Sequence, residues 1–509
     1  MDPPRNVSIT FCRAEHLPIA DISSLSSDPY VSATLQTPFS DNDKDHSPPL
    51  RFRTPTSRCT IQPKWDWHWD VANVPRFGTK LHVHVMDEDC RDHDDRLGHV
   101  TIDFTDLERW DGENAVNENW YKLRKKGASK KAAVLRMCAA GVSAVGGNAD
   151  GEGGSARVLV RIEVKGVTKL EKDRFLQRAF TIGPNCWTKH YSPLIGKVIH
   201  SKDSPQSAQK ASIFSFEANK LQLSGPVPPE LSHEYVGFAP FVTAYFTRAG
   251  VRGRLLNHAL HSQYNSLYSH DASTEYGVIK DGGGIALARR FLEMAHWSEG
   301  NRVFTYVITL DGEWRFTETG TEFAIDLLSK HSLHSDVSRV IAYSGEFFVR
   351  HRSGGDGHEH EPEHEQHDSS SDLDHIHPRH NHKHVDHDPS NYELVIDNDS
   401  GTYRPNKDLL PVLINWLHSN LRGLGAVKYY DCFDKELEKL KKERKEAKHS
   451  GGRTIFRQRS MSSSGSISSS DEEELETGKE SNLFKRLKGN FMMSGAGAGP
   501  GGAVTGRGK

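Results

Sequence analysis

The sequence is poor in the features that announce most functional classes. Its 509 residues hold six cysteines (Cys12, Cys59, Cys90, Cys138, Cys186 and Cys432), with no CxxC pair among them. That usage fits a reducing compartment better than a disulfide scaffold or a zinc ribbon. No apolar run approaches the roughly 20 residues that a spanning helix requires. The longest candidate, Ala132 to Val145, is short, rich in glycine and alanine, and broken by Arg136. Membrane contact is therefore expected to be peripheral. The opening MDPPRNVSITF lacks the charged-then-apolar order of a signal peptide, so a cytoplasmic location is expected. Charge of one sign is missing too. Lys+Arg 65 stand against Asp+Glu 68, so no global field draws the chain to nucleic acid, which is not expected as a partner. Neither a repeat of fixed period nor a GxSxG elbow occurs.

What is present changes along the chain. Up to about Val164, short alternating segments are separated by polar turns. Val7 to Phe11 and Val31 to Leu35 are two, and Leu81-His82-Val83-His84-Val85 is the cleanest. Period-two alternation puts the apolar side chains on one face, as in an antiparallel β-sandwich. Lys125 to Ala156 reads as a long loop, after which Arg157 to Val164 closes the sandwich. From Lys169 to Lys448 the pattern is mixed. Ile285 to His296, Leu409 to Leu421 and Asp434 to Lys448 read as helices; Val303 to Leu310, Val340 to Val349 and Tyr392 to Ile396 read as strands. Arg352 to Pro389 is a His-rich, apolar-poor insertion between two of these strands.

Two segments concentrate acidic residues. One runs from Leu17 through Asp21 and Asp28 to Tyr30; the other is Met86-Asp87-Glu88-Asp89 continuing to Asp95 and Gly98. Each follows an expected strand, and loops at one end of a sandwich converge. Crowded carboxylates repel until a hard cation joins them. Calcium accepts roughly six to eight oxygens at flexible geometry, whereas magnesium demands a stricter octahedron. An EF-hand is excluded by spacing, because the sixth position from Asp87 is Asp92 rather than Gly and the twelfth is Gly98 rather than Glu.

At these residues the sequence resembles the C2 domains of protein kinase C and synaptotagmin. The carriers are Ser27-Asp28-Pro29-Tyr30 preceded by Asp21, the Asp87-x-Asp89 pair followed by Asp95 and Leu97-Gly98, Pro63-x-Trp65, and Trp120-Tyr121-x-Leu123. The interval from Asp21 to Asp28 is one residue longer than the family's usual one, and Gln62 stands where Asn is usual. The resemblance implies calcium held by Asp21, Asp28, Asp87, Asp89 and Asp95, and calcium-dependent binding to anionic phospholipid. Ile22, Leu25 and Arg91 are the expected membrane contacts, with a basic cluster at Arg124, Lys125, Lys126, Lys130 and Lys131.

The expected architecture is multidomain. Residues 1–165 form an all-β C2-type antiparallel sandwich. Residues 166–448 form an α+β domain of unknown function with a disordered His-rich insertion at 352–389. Residues 449–509 form a disordered tail. Gly312 to Gly320 and Glu393 to Tyr403 resemble a region found after C2 domains in uncharacterised fungal proteins, and no activity follows from that. No catalytic grouping stands out there. Asp281-Gly282-Gly283-Gly284 lacks a P-loop's Lys, and His331 with His334 lacks a carboxylate partner. The His-rich insertion offers only weak, unselective affinity for zinc, copper or nickel. Two functions remain open: a calcium-dependent adaptor whose α+β half recruits a protein partner, or a lipid-directed enzyme carried to its substrate.

Overall fold

The computed structural model describes residues 3–21, 24–38, 48–89, 94–110, 115–124, 155–168, 178–200, 213–234, 274–279, 284–318, 340–352, 387–401, 404–449 and 452–458. The alternation seen at Leu81 to Val85 governs the first unit, where Leu81, Val83 and Val85 are fully buried and His82 and His84 face outward. Nine strands share this logic. They are β1 (Arg5–Glu15), β2 (Pro29–Gln36), β3 (Leu50–Arg53), β4 (Lys64–Val74), β5 (Lys80–Asp87), β6 (Asp95–Asp103), β7 (Ala115–Lys122), β8 (Arg157–Val167) and β9 (Phe180–Gly183). One sheet runs β7-β8-β1-β4-β9, the other β3-β2-β5-β6, and every pairing is antiparallel.

Between the sheets Phe11, Phe52 and Trp69 stack in series, with centroid separations of 5.9 and 5.5 Å. Trp65 Nε1 donates to the Pro29 carbonyl at 3.1 Å and so ties the Pro-x-Trp segment to the start of β2. Gly98 lies against Leu123, where a Cβ would come within 2.8 Å of the leucine's own Cβ. That close approach is the physical content of the Leu97-Gly98 motif. The first sheet also takes β9 from beyond position 165.

The second unit is one nine-stranded sheet, with a small two-stranded one beside it. Its strands are β10 (Asn185–His200), β11 (Ile213–Gln222), β12 (His233–Glu234), β13 (Thr274–Ile279), β14 (Phe304–Ile308), β15 (Glu313–Glu318), β16 (Val340–Ile341), β17 (Tyr343–His351), β18 (Tyr392–Asp397), β19 (Ala426–Tyr430) and β20 (Gly452–Gln458). The order is β13-β10-β11-β15-β14-β17-β18-β19; β20 pairs with β10, and β12 pairs with β16 apart from the rest. Among the described residues only β18 and β19 pair in parallel. The helices are α1 (Ile285–Met294), α2 (Leu410–Asn420) and α3 (Lys435–His449).

Helices α1 and α2 cover one face, burying Leu287, Phe291, Leu413 and Leu417 against Leu221, Trp314, Phe316 and Phe347. Helix α3 lies over the other face beside Phe348 and Val395. The three helices fall where periodicity put them, within one or two residues. Gly452–Gln458, which composition places in the tail, is instead a strand. Strands β17 and β18 pair directly through His351 and Tyr392, so the His-rich insertion leaves and returns at one hairpin. Its ends are narrower than expected. Arg352 N donates to Asn391 O, Asp388 caps the turn at Ser390, and Pro389 is buried. Residues 353–386 lie outside the described residues, as do Ala132 to Val145, Lys125 to Lys131, His331, His334 and the tail beyond 458.

Helix α3 is fixed electrostatically. Lys441 Nζ lies 2.6 Å from Asp397 and 2.5 Å from Glu346, both nearly inaccessible. Burial alone would pull the ammonium down, yet the two carboxylates outweigh it and hold it well above its usual range. Removing the cation would leave two buried carboxylates facing each other. Lys441→Ala is therefore expected to destabilise this unit by about 3–5 kcal/mol in denaturant unfolding. A loss below about 1 kcal/mol would mean that the pair is already well solvated.

Candidate metal centre

The alternation along β5 does not stop at Val85. The next inward position is Asp87, the strand's last residue, and it is fully buried. Asp87 Oδ1 accepts the Asp28 backbone N–H at 2.5 Å, while Oδ2 is buried with no hydrogen-bond partner. Burial pushes this carboxyl up to about 7, the charges of Asp21, Asp89 and Asp28 push the same way, and the Asp28 N–H opposes them.

Asp21 comes from the other loop. That loop is stapled by Ala20 N and Asp21 N donating to Ser26 O, and by Ser27 Oγ donating to Pro18 O at 2.9 Å. Burial, with the nearby charges of Asp28 and Asp95, holds the Asp21 carboxyl above its ordinary value. Asp89 follows β5 by two residues, and its N–H donates to Asp94 Oδ1 at 3.2 Å. Carboxylate oxygens of Asp21, Asp87 and Asp89 all lie within 4.8 Å of one another. Three oxygen donors around a buried orphaned oxygen suit a hard cation such as calcium.

The other two expected ligands are placed differently. Asp95 opens β6 directly opposite Asp87 in the ladder. Asp28 is already engaged, with Cys59 N donating to Oδ1 at 2.7 Å and Arg58 Nη1 to Oδ2 at 3.0 Å. Of the expected membrane contacts, Leu25 is 69% exposed on the first loop, and Ile22 and Arg91 lie outside the described residues.

Sequence reasoning missed three participants. Asp94 accepts the Tyr30 hydroxyl at 2.5 Å, which accounts for the tyrosine of Ser-Asp-Pro-Tyr. Glu88, just past the end of β5, meets Arg53 at 2.6 Å and Arg58. Arg58 bridges Glu88 to Asp28. Position next to known aspartates could have flagged Asp94 and Glu88. Nothing local flags Arg58, which stands 30 residues from Asp28.

Residues 5–123 match the family model for the C2 domain, and over that stretch the chain is a C2 domain. Among solved structures, a C2 domain of plant Extended Synaptotagmin 1 is 15% identical, with a TM-score of 0.23, covering 33% of this chain and 100% of its own. Human GIVD cytosolic phospholipase A2 is 13% identical with a TM-score of 0.22, covering 53% of this chain, which spans only 36% of the phospholipase. A C2 domain of RIM from Drosophila is 20% identical with a TM-score of 0.17, covering 21% of this chain and 91% of its own. Superpositions this loose assign nothing to individual residues. No curated protein matches the chain.

The buried carboxyl has a pH consequence. Between 3.8 and about 7 the folded chain keeps a proton on Asp87 that the unfolded chain has lost. This group's contribution therefore falls as pH rises through that window. Without divalent cation at about pH 8, Asp87→Asn is expected to melt higher than the parent. The gap should narrow as pH falls through this window and close below about 3.8, where the carboxyl is protonated in both states. Equal melting at both pH values would show that the carboxylate is not destabilised.

Proposed function

We propose that this chain binds anionic phospholipid membranes peripherally, with calcium at the acidic loop end as the trigger. One observation carries the reading: Asp87 Oδ2 is buried without a partner, and the carboxylates of Asp21 and Asp89 lie within 4.8 Å. Asp28 and Asp95 extend the donor set from the neighbouring strand ends. When bound, calcium supplies open coordination positions for lipid phosphate or carboxylate oxygens and turns the local potential positive. Among the described residues no helix is long and apolar enough to cross a membrane. Leu25, exposed on the first loop, together with Ile22 supplies about 2–4 kcal/mol of apolar contact at most. Micromolar attachment needs about 8 kcal/mol, so coordination and charge carry the larger part, with Arg91 on the second loop contributing. The second unit then serves as the platform for a protein partner, which makes the chain an adaptor in cytoplasmic signalling or trafficking.

The full chain is expected to sediment with phosphatidylserine vesicles in calcium and to be released by chelator. Asp89→Asn with Asp95→Asn should abolish the binding. Raising salt from about 0.1 to about 0.5 M shortens the Debye length from about 10 to about 4 Å and should weaken it at least about tenfold. Equal binding with and without calcium would end this reading.

A lipid-directed enzyme is the second reading, and one feature of the second unit favours it. After α1 the backbone is left-handed at His296, Trp297, Ser298 and Asn301, with φ of 56°, 49°, 70° and 50°. Such residues cost of order 1–3 kcal/mol each and gather at functional sites. The turn sets His296 Nε2 3.0 Å from buried Glu217, which also holds Lys189 at 3.2 Å. Fatty-acid release from calcium-loaded vesicles, lost in His296→Asn while binding persists, would replace the adaptor reading. No release by the parent would remove this alternative.

A further inference from the structure

The acidic loop end has positive charge against it as well as within reach. Asp87, Glu88 and Asp89 are consecutive, yet Glu88 is not among the carboxylates that gather with Asp21. Glu88 instead holds two guanidiniums, Arg53 at 2.6 Å and Arg58. Arg58 has a second engagement, its Nη1 donating to Asp28 Oδ2 at 3.0 Å. With Cys59 N on Oδ1, both oxygens of Asp28 are taken. The group of carboxylates close enough to share one cation comprises Asp21, Asp87 and Asp89, and Asp28 is not in it. Asp28 is nevertheless near, since its own N–H donates to Asp87 Oδ1.

We propose that Arg58 is a built-in counter-ion of this centre, holding Asp28 until a divalent cation displaces the guanidinium and takes the carboxylate. The proposal rests on the calcium reading above and adds the residue that sets the affinity of the site. Three features fit Arg58 for exchange. Its side chain is 53% exposed, so leaving Asp28 breaks no core packing. Glu88 tethers it through the other nitrogen, so release does not strand the charge. A cavity of about 470 Å³ lined by Arg58, Glu88, Thr56, Trp187 and Glu275 gives the guanidinium room. Arg53 cannot serve the same way. It is held between the rings of Tyr30 and Tyr276, at 3.7 and 3.4 Å from their centroids.

The exchange has a thermodynamic signature that simple charge repulsion lacks. Removing any nearby cation favours a divalent ion, at about tenfold for one charge several ångströms away in water. A competitor for Asp28 adds a further effect, which is lost when Asp28 can no longer be contested. The experiment is a double-mutant cycle on the full chain, with calcium affinity read by displacement of luminescent terbium so that weak variants stay on scale. Arg58→Gln is expected to bind calcium about a hundredfold tighter than the parent, the field and the freed carboxylate together, while Arg58→Lys stays close to the parent. In an Asp28→Asn background, Arg58→Gln should keep only the field's share, about tenfold. An equal gain in both backgrounds would reduce Arg58 to a distant charge and overturn the exchange. So would unchanged or weaker affinity in Arg58→Gln alone. A parent that takes up neither ion would instead sink the calcium reading, a result distinct from either.

Discussion

Burying a carboxyl group at the inward end of a strand is costly, and the acidic loop end is organised around that cost. The position after Leu81, Val83 and Val85 on β5 points into the same sandwich interior, where an aliphatic side chain would add to the core. Asp87 occupies it instead, with one oxygen satisfied by Asp28 N and the other by nothing. An isolated buried charge is tolerated only by taking a proton or gaining a partner. Burial takes the first route, raising the group to about 7. A cation shared with Asp21 and Asp89 is the second. Proton and cation would therefore compete for one group.

The same tripeptide that makes the acid cluster also makes its restraint. Asp87 and Asp89 gather with Asp21, while Glu88 between them meets Arg53 and Arg58. Glu88 N also donates to Asp28 O, so the two loops are joined by backbone as well as by side chains. The centre is consequently stiffer on the Asp28 side than a bare cluster of carboxylates would be.

The sandwich was legible because its period is local. Alternation at Leu81 to Val85 placed the strand and its inward face; Asp87, expected on the loop that follows, is instead the strand's last inward position. Helices α1 and α2 were legible for the same reason at a different period. Strand β11 was not, because the positions that face the helix layer include Glu217 and Asn219 alongside Leu221. Two polar residues turned inward erase the alternation that would have announced it; Glu217 takes its partners Lys189 and His296 from β10 and from the turn after α1, and Asn219 donates to the Met294 carbonyl at the end of α1. Tyr191 and Trp187 on β10 read equally well as loop residues until Glu217 and Leu221 are known to lie opposite. At the acidic loop end the resemblance implied five aspartates, of which Asp21, Asp87 and Asp89 lie within 4.8 Å of one another. Residue type and spacing could not show that Asp28 is held, because that depends on a guanidinium 30 residues away.

The position of Arg53 bears on how the two units communicate. Its guanidinium is stacked between Tyr30 of the sandwich and Tyr276 of the second sheet, and its Nη2 donates to Glu88. Cys186 on β10 donates to the Arg53 carbonyl at 3.9 Å. Tyr30 is in turn bound through its hydroxyl to Asp94, beside the acid cluster. The junction between the units is thus one residue removed from the centre on two sides, through Glu88 and through Tyr30. A stacked guanidinium tolerates sliding poorly, because cation–π attraction needs the charge over the ring face. A change in the charge held at the loop end alters the field at Glu88 first, and Arg53 is the neighbour with least freedom to absorb it.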